Sequence, residues 1–192
     1  LSEVEVWGEV GVNPKPVTIS DGDLSALRSL LNSANSHLYA VLDSADEPEV
    51  VERIQESEDR GTNLYVGSAQ RDYWAISPYL LRMQPADLDW ILGNLQEDAW
   101  GILAETNADL STIKRHFRKF LTVKEGESGR FLLFRFYDPR VLPPFLESCT
   151  LQQARAFFGP IQSFYFFSDS KTVRQAKLSD QSGFVAEHTD FT

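Results

Sequence analysis

Apolar positions recur along the chain at two spacings. Unbroken or alternating runs predict strands, and recurrence at every third and fourth residue predicts helices. VEVWGEV (4–10) alternates apolar with acidic residues as a half-exposed strand would, and VNPKPV ends it because proline donates no ladder hydrogen bond. DGDLSALRSLLNSA predicts a helix capped by Asp21 or Asp23, with Leu24, Leu27, Leu31 and Ala34 in one stripe. LYAVLD (38–43), NLYVG (63–67), PYLLRM (78–83), AWGILAE (99–105) and SFYFFSD (163–169) read as strands. An irregular aromatic stretch through Tyr73 and Trp74 follows the second of these. Asp46-Glu47-Pro48-Glu49 signals a helix start, with Val50, Val51 and Ile54 inward and Gly61 at the exit. Asp87 to Leu95 predicts a helix with Leu88, Ile91, Leu92 and Leu95 on one side. Asp109 caps LSTIKRHFRKFL, whose Leu110, Ile113, Phe117, Phe120 and Leu121 line one face.

The segment LTVKEGESGRFLLFRFYD places two apolar runs around the polar GESG, which predicts a β-hairpin; the second run carries Arg135 and stops at Tyr137. An antiparallel pair beside non-alternating strands and helices points to an α+β (mixed α/β) fold. We expect a mixed sheet with a C-terminal antiparallel hairpin and packed helices. Residues 1–37 supply a strand and a helix of the same domain, 38–169 its main body, and 170–192 a polar tail. There is no internal repeat, low-complexity block or linker.

Composition narrows the class. With 192 residues, 42% hydrophobic and 24% charged, the chain suits one sizeable globular domain. No apolar run approaches the ~20 residues that span a bilayer. The first residues lack the basic start and apolar centre of a signal peptide. Cys149 is the lone cysteine, so an internal disulfide is excluded; a buried structural thiol in a reducing cytoplasm is expected. The net charge of -10 is uneven: residues 1–110 carry 20 acidic and 6 basic side chains, whereas 111–140 carry 3 and 8. Two solvated faces would explain this, and so would a basic patch that steers an acidic partner. Lys114, Arg115, Arg118 and Lys119, opposite the apolar stripe of their helix, are the candidate partner-binding residues. Nucleic acid is disfavoured, because a chain of pI near 4.7 repels phosphates outside that patch.

Chemistry-bearing motifs are sparse. His37, His116 and His188 lie far apart, in no metal-binding spacing, and His116 among basic residues reads as surface packing. GxSxG, GxGxxG and GxxxxGK[ST] are absent. One polar constellation stands out: Arg135, Asp138 and Arg140. Asp138 before Pro139 suits a turn, and arginine bridges carboxylates with two parallel bonds, so a structural corner is the first reading. A hydrolase or transferase site near Asp138 and Arg140 is the alternative. The aromatic groups Phe131, Phe134, Phe136 and Tyr137, with Phe164 to Phe167, read as core before they read as the wall of a small-ligand pocket.

An ordered series of blocks carries a resemblance: LYAVLD (38–43), SPYLL (77–81), WGILAET (100–106), HFRKFLTV (116–123), FRFYDPRVL (134–142) and FFGPI (157–161). Together they resemble the effector-adaptor chaperones of bacterial type VI secretion systems, long catalogued as a domain of unknown function. FRFYDPRVL is the most specific block, and the likeness covers roughly Leu38 to Phe167. Ile76-Ser77 departs from it, since the family often has alanine before the PYL block. The resemblance implies a non-enzymatic cytoplasmic adaptor without cofactor. It would bind a cognate effector toxin and help place it on the secretion spike, a trimeric valine-glycine-repeat protein. It also implies that Tyr39, Asp43, Tyr79, Trp100, Gly101, Arg135, Tyr137, Asp138, Pro139, Arg140, Gly159 and Pro160 are family-motif positions that define the fold. Many members continue further, so the resemblance also implies a C-terminal lobe of which the polar tail 170–192 would be the start.

Overall fold

The unbroken apolar runs become the middle of one sheet, covered by helices on both sides. The computed structural model describes residues 17–45, 47–95, 99–124, 130–167 and 172–179. In chain order the elements are β1 (Val17–Asp21), α1 (Leu24–Leu31), β2 (His37–Asp43), α2 (Pro48–Glu56), β3 (Gly61–Asn63), α3 (Gly67–Asp72), β4 (Pro78–Arg82) and α4 (Pro85–Asn94). They continue with β5 (Gly101–Thr106), α5 (Leu110–Arg118), β6 (Thr122–Lys124), β7 (Phe131–Leu133), α6 (Leu142–Ser148), α7 (Leu151–Phe158), β8 (Ile161–Phe167) and β9 (Val173–Leu178). Short 3-10 turns at Glu58–Arg60 and Trp74–Ile76 link neighbours.

Seven strands form one sheet in the order β1-β9-β8-β5-β2-β4-β3, while β6 and β7 pair separately. The α+β class is as expected. Within it, every pairing among the described residues is antiparallel, where a mixed sheet was expected. The anticipated hairpin is β6–β7, with Thr122 opposite Leu133, but it stands apart from the main sheet. A further hairpin, β8–β9, closes the C-terminal side. The strand expected over 4–10, the Asp46 cap and the GESG turn lie outside the described residues.

β2 shows why the middle strands are apolar throughout. Tyr39 and Val41 enter one core, whereas Leu38, Ala40 and Leu42 enter another, so both faces of the strand are buried. The first core is roofed by α5, α6 and α7 through Ile113, Phe117, Leu142, Leu146, Ala154, Phe157 and Phe158. The second lies under α1, α2 and α4 through Leu27, Val50, Val51, Ile54, Leu88 and Ile91. Caps hold the helices as their sequences suggest: Asp23 accepts from the Ser25 amide at 2.8 Å and Asp109 from the Thr112 amide at 2.8 Å.

Several expectations are corrected. Residues 173–178, read as polar tail, form β9, and residues 17–21 form β1. Gly61 caps the 3-10 turn Glu58–Arg60 that follows α2, but with an extended φ of -117° rather than the left-handed one of a glycine exit, and it opens β3 directly. The strand read over 63–67 therefore shifts towards the N-terminus. β7 ends at Leu133, so Phe134 and Arg135 lie outside it and Phe136 to Arg140 turn. His116 is buried rather than on the surface: its Nε2 donates to the Phe157 carbonyl at 2.7 Å, and burial lowers its pKa.

Candidate functional site

The motif residues gather at one end of β2. Asp43, the last residue of that strand, is buried and receives the Arg135 guanidinium as well as the Ala45 amide at 3.1 Å. The same guanidinium lies 5.9 Å from the centre of the Tyr137 ring, in cation–π contact. Burial opposes charge on Arg135, but the Asp43 carboxylate outweighs it and raises the pKa above the ordinary guanidinium value.

Asp138 forms the next turn. Its Oδ1 accepts from the Arg140 amide at 2.8 Å and from Arg140 Nε at 2.9 Å, and its Oδ2 accepts from Nη2 at 2.8 Å. Its carbonyl accepts from the amides of Val141 and Leu142, which launches α6. Burial pushes the Asp138 pKa up, yet the bonds from Arg140 more than offset this and hold it below the usual carboxylate range. Tyr137 is almost wholly buried, and burial, with Tyr65 and Asp43 adding to it, pushes its phenol well above the ordinary value. The corner thus holds a carboxylate kept ionised by an arginine and a phenol kept neutral. Neither is poised to exchange a proton near neutral pH, and the arrangement joins β2 to the start of α6.

The remaining motif residues make contacts within the chain. Tyr39 donates to the Ala108 carbonyl at 3.2 Å, and Tyr79 to that of Trp74 at 2.8 Å. Trp100 packs on Phe167 with ring centres 5.4 Å apart, and its carbonyl accepts from the Asp43 amide at 2.8 Å. Gly101 has φ of +153°, and a Cβ there would lie 2.1 Å from the Val41 carbonyl oxygen. Gly159 ends α7 at φ of +50°, where a Cβ would lie 2.4 Å from the His116 ring. Pro139 is buried, and the Pro160 carbonyl accepts from Thr106 Oγ1 at 2.7 Å.

Unfinished surface lies next door. Among the described residues, the large apolar side chains left exposed are Val66, Tyr73, Trp74, Ile76, Val123, Leu132 and Leu133. All fall in two segments: α3 with its flanking residues, and the β6–β7 hairpin. Between these segments runs a groove of about 520 Å³, walled by Val66, Tyr73, Ile76 and Leu133 with Arg118 beside them. Tyr65 borders the groove and is adjacent to Tyr137, so it links this surface to the corner. A two-stranded ribbon is at best marginally stable alone in water, and apolar residues on both of its sides are unusual for an exposed one. Sequence reading missed this surface. Its signal was the irregular aromatic stretch before Ser77, where apolar residues occur without the period of a helix or strand.

The four candidate basic residues do not make one patch. Lys114 donates to Thr62 Oγ1 at 2.6 Å, and Arg118 donates to the carbonyls of Leu64, Asn63 and Tyr65 at 2.9, 3.2 and 3.4 Å. Both are partly buried, Arg118 at the groove and Lys114 one helical turn before it, and burial lowers both pKa values. Arg115 and Lys119, one step around the helix, are exposed and flank a separate hollow with Thr112 and Pro160. Other ion pairs are structural: fully buried Asp87 receives Arg53 and Arg60, each at 2.6 Å. Cys149 is buried, and burial raises its pKa. Among the described residues no group of three His, Cys, Asp or Glu side chains could hold a metal ion, and no helix is long and apolar enough to cross a membrane.

Residues 38–156 match the model of a protein family described as a domain of unknown function, DUF4123. The match spans more than half of the chain, and the chain belongs to that family. No curated protein and no solved structure matches it.

Proposed function

We propose that this member of the DUF4123 family is a non-enzymatic adaptor. In this reading it captures a cognate toxin effector of a type VI secretion system in the cytoplasm and helps load it on the valine-glycine-repeat spike, without a cofactor. The observation that carries the proposal is the apolar groove between α3 and the β6–β7 hairpin. A contiguous uncovered apolar surface, backed by a rigid corner, is what a protein-binding module requires. The six sequence blocks that resemble effector adaptors support the choice of partner.

Hydrolase or transferase chemistry at Asp138 and Arg140 has less support, because both carboxylate oxygens are already engaged by Arg140. The test is recovery of the protein from its native cell, with identification of what accompanies it. A toxin and a spike component are expected. Recovery of neither, together with a catalytic turnover that Asp138→Asn abolishes, would favour the enzyme.

A further inference from the structure

We infer that the groove beside Arg118 accepts an amphipathic segment of the cargo, with apolar anchors on one side and carboxylates on its flanks. The inference rests on the adaptor reading and names the chemistry of the partner.

Three observations lead to it. First, the walls of the groove are apolar, and Leu133 and Val66 retain 54% and 56% of their surface, so anchors would gain burial. Second, the charge beside the groove is not neutralised. Arg118 borders the groove and donates to backbone carbonyls, Lys114 one helical turn before it donates to a hydroxyl, and among the described residues neither forms an ion pair. Partial burial beside apolar walls strengthens the field of such cations, which favours carboxylates on the occupant. Third, the backbone along one wall is already engaged: Arg118 holds the carbonyls of Asn63 and Tyr65, which an added strand would need. Recognition therefore runs through side chains, in the manner of a helix laid in a groove, rather than through strand addition. A second copy of the chain is the weaker occupant, since a two-fold pairing of grooves would set Arg118 of each copy beside the same cation of the other.

Two synthetic peptides test this on the full chain. Both carry leucines at i, i+3, i+4 and i+7; one has glutamate at its polar positions and the other lysine. Fluorescence anisotropy should show the acidic peptide binding at least about tenfold more tightly than the basic one, with the preference shrinking in high salt. Leu133→Ser and Ile76→Ser should each weaken the acidic peptide at an unchanged melting temperature, and Lys114→Met should reduce its salt dependence. Failure of the acidic peptide to bind, equal binding of the basic one, or indifference to both groove substitutions overturns the inference. So does self-association of the wild-type chain that Leu133→Ser abolishes, which would give the groove to a second copy. Capture from the native cell separates this inference from the adaptor reading. A toxin retained equally by wild type and Leu133→Ser leaves an adaptor that binds elsewhere. Acidic-peptide binding without any toxin retained leaves the groove chemistry standing and removes the adaptor.

Discussion

The corner at Asp43–Arg140 and the groove beside it differ in what their residues still have to offer. In the corner, Asp43 meets Arg135 and Asp138 is held at both oxygens by Arg140. In the groove, Val66, Tyr73, Ile76 and Leu133 are exposed, and among the described residues Arg118 is bonded to uncharged carbonyls. Residue types alone direct attention to the corner, because Asp and Arg can perform chemistry. Satisfaction of those groups directs it to the groove. A polar cluster whose bonds are complete holds a fold together, while an apolar surface whose burial is incomplete is available to a partner.

The largest expected effect probes the core beneath both regions. Phe117 stacks on Phe136 at 5.3 Å and is fully buried, so Phe117→Ala should cost about 3–5 kcal/mol. Denaturant unfolding measures this, and partner capture should be lost only as far as the fold is.

Asp138→Ala should come next, at about 1–3 kcal/mol, because it removes the acceptors that shape the turn before α6. Stability and capture should fall together. Abolished turnover of some substrate at an unchanged melting temperature would move the corner from structure to chemistry.

A smaller effect is expected from acid. Burial depresses the pKa of His116, and Lys119 adds to this against the opposing bond to Phe157. The folded chain therefore binds fewer protons than the unfolded one between the two pKa values. The stability contributed by neutral His116 is complete above the unfolded pKa of ~6.5 and declines as the pH falls below it. Melting temperatures across that range should drop less steeply in His116→Gln than in the wild type.

Least effect on stability is expected at the groove rim. Leu133→Ser removes an exposed side chain and should change stability by no more than about 0.5 kcal/mol. If the groove is the binding surface, the same substitution should weaken capture by ~30-fold, the loss typical of an interface hot spot. Loss of stability without loss of capture would reverse the comparison and make Leu133 part of the fold.

How far the sequence alone reached varied by element, for identifiable reasons. β2, β4, β5 and β8 were evident because both of their faces are buried, so their sequences are almost wholly apolar. α1 and α5 were evident from a stripe and a capping aspartate. β9 was not: Val173 and Ala176 are its buried apolar residues, and at three apart they enter opposite cores, which breaks the alternation of a half-buried strand. β1 was hidden because its alternating Val17 and Ile19 sit between prolines and a helix cap. His116 was misjudged because its basic neighbours are polar in sequence, whereas α5 turns the ring towards α7 and the Phe157 carbonyl.

Local pattern thus determined the class of fold, the middle strands, the caps of α1 and α5 and the conformational demand at Asp138-Pro139. These depend on residues within a few positions of one another, where periodicity and backbone chemistry act directly. Only the tertiary structure decided the antiparallel order of the strands, the pairing of Asp43 with Arg135 and the division of one basic helix into two faces with different surroundings. It also brought residues 66–76 to the β6–β7 hairpin, more than forty positions further along the chain. Those outcomes depend on which surfaces meet after the sheet has formed, and hydrophobic burial has no direction that a short stretch of sequence could encode.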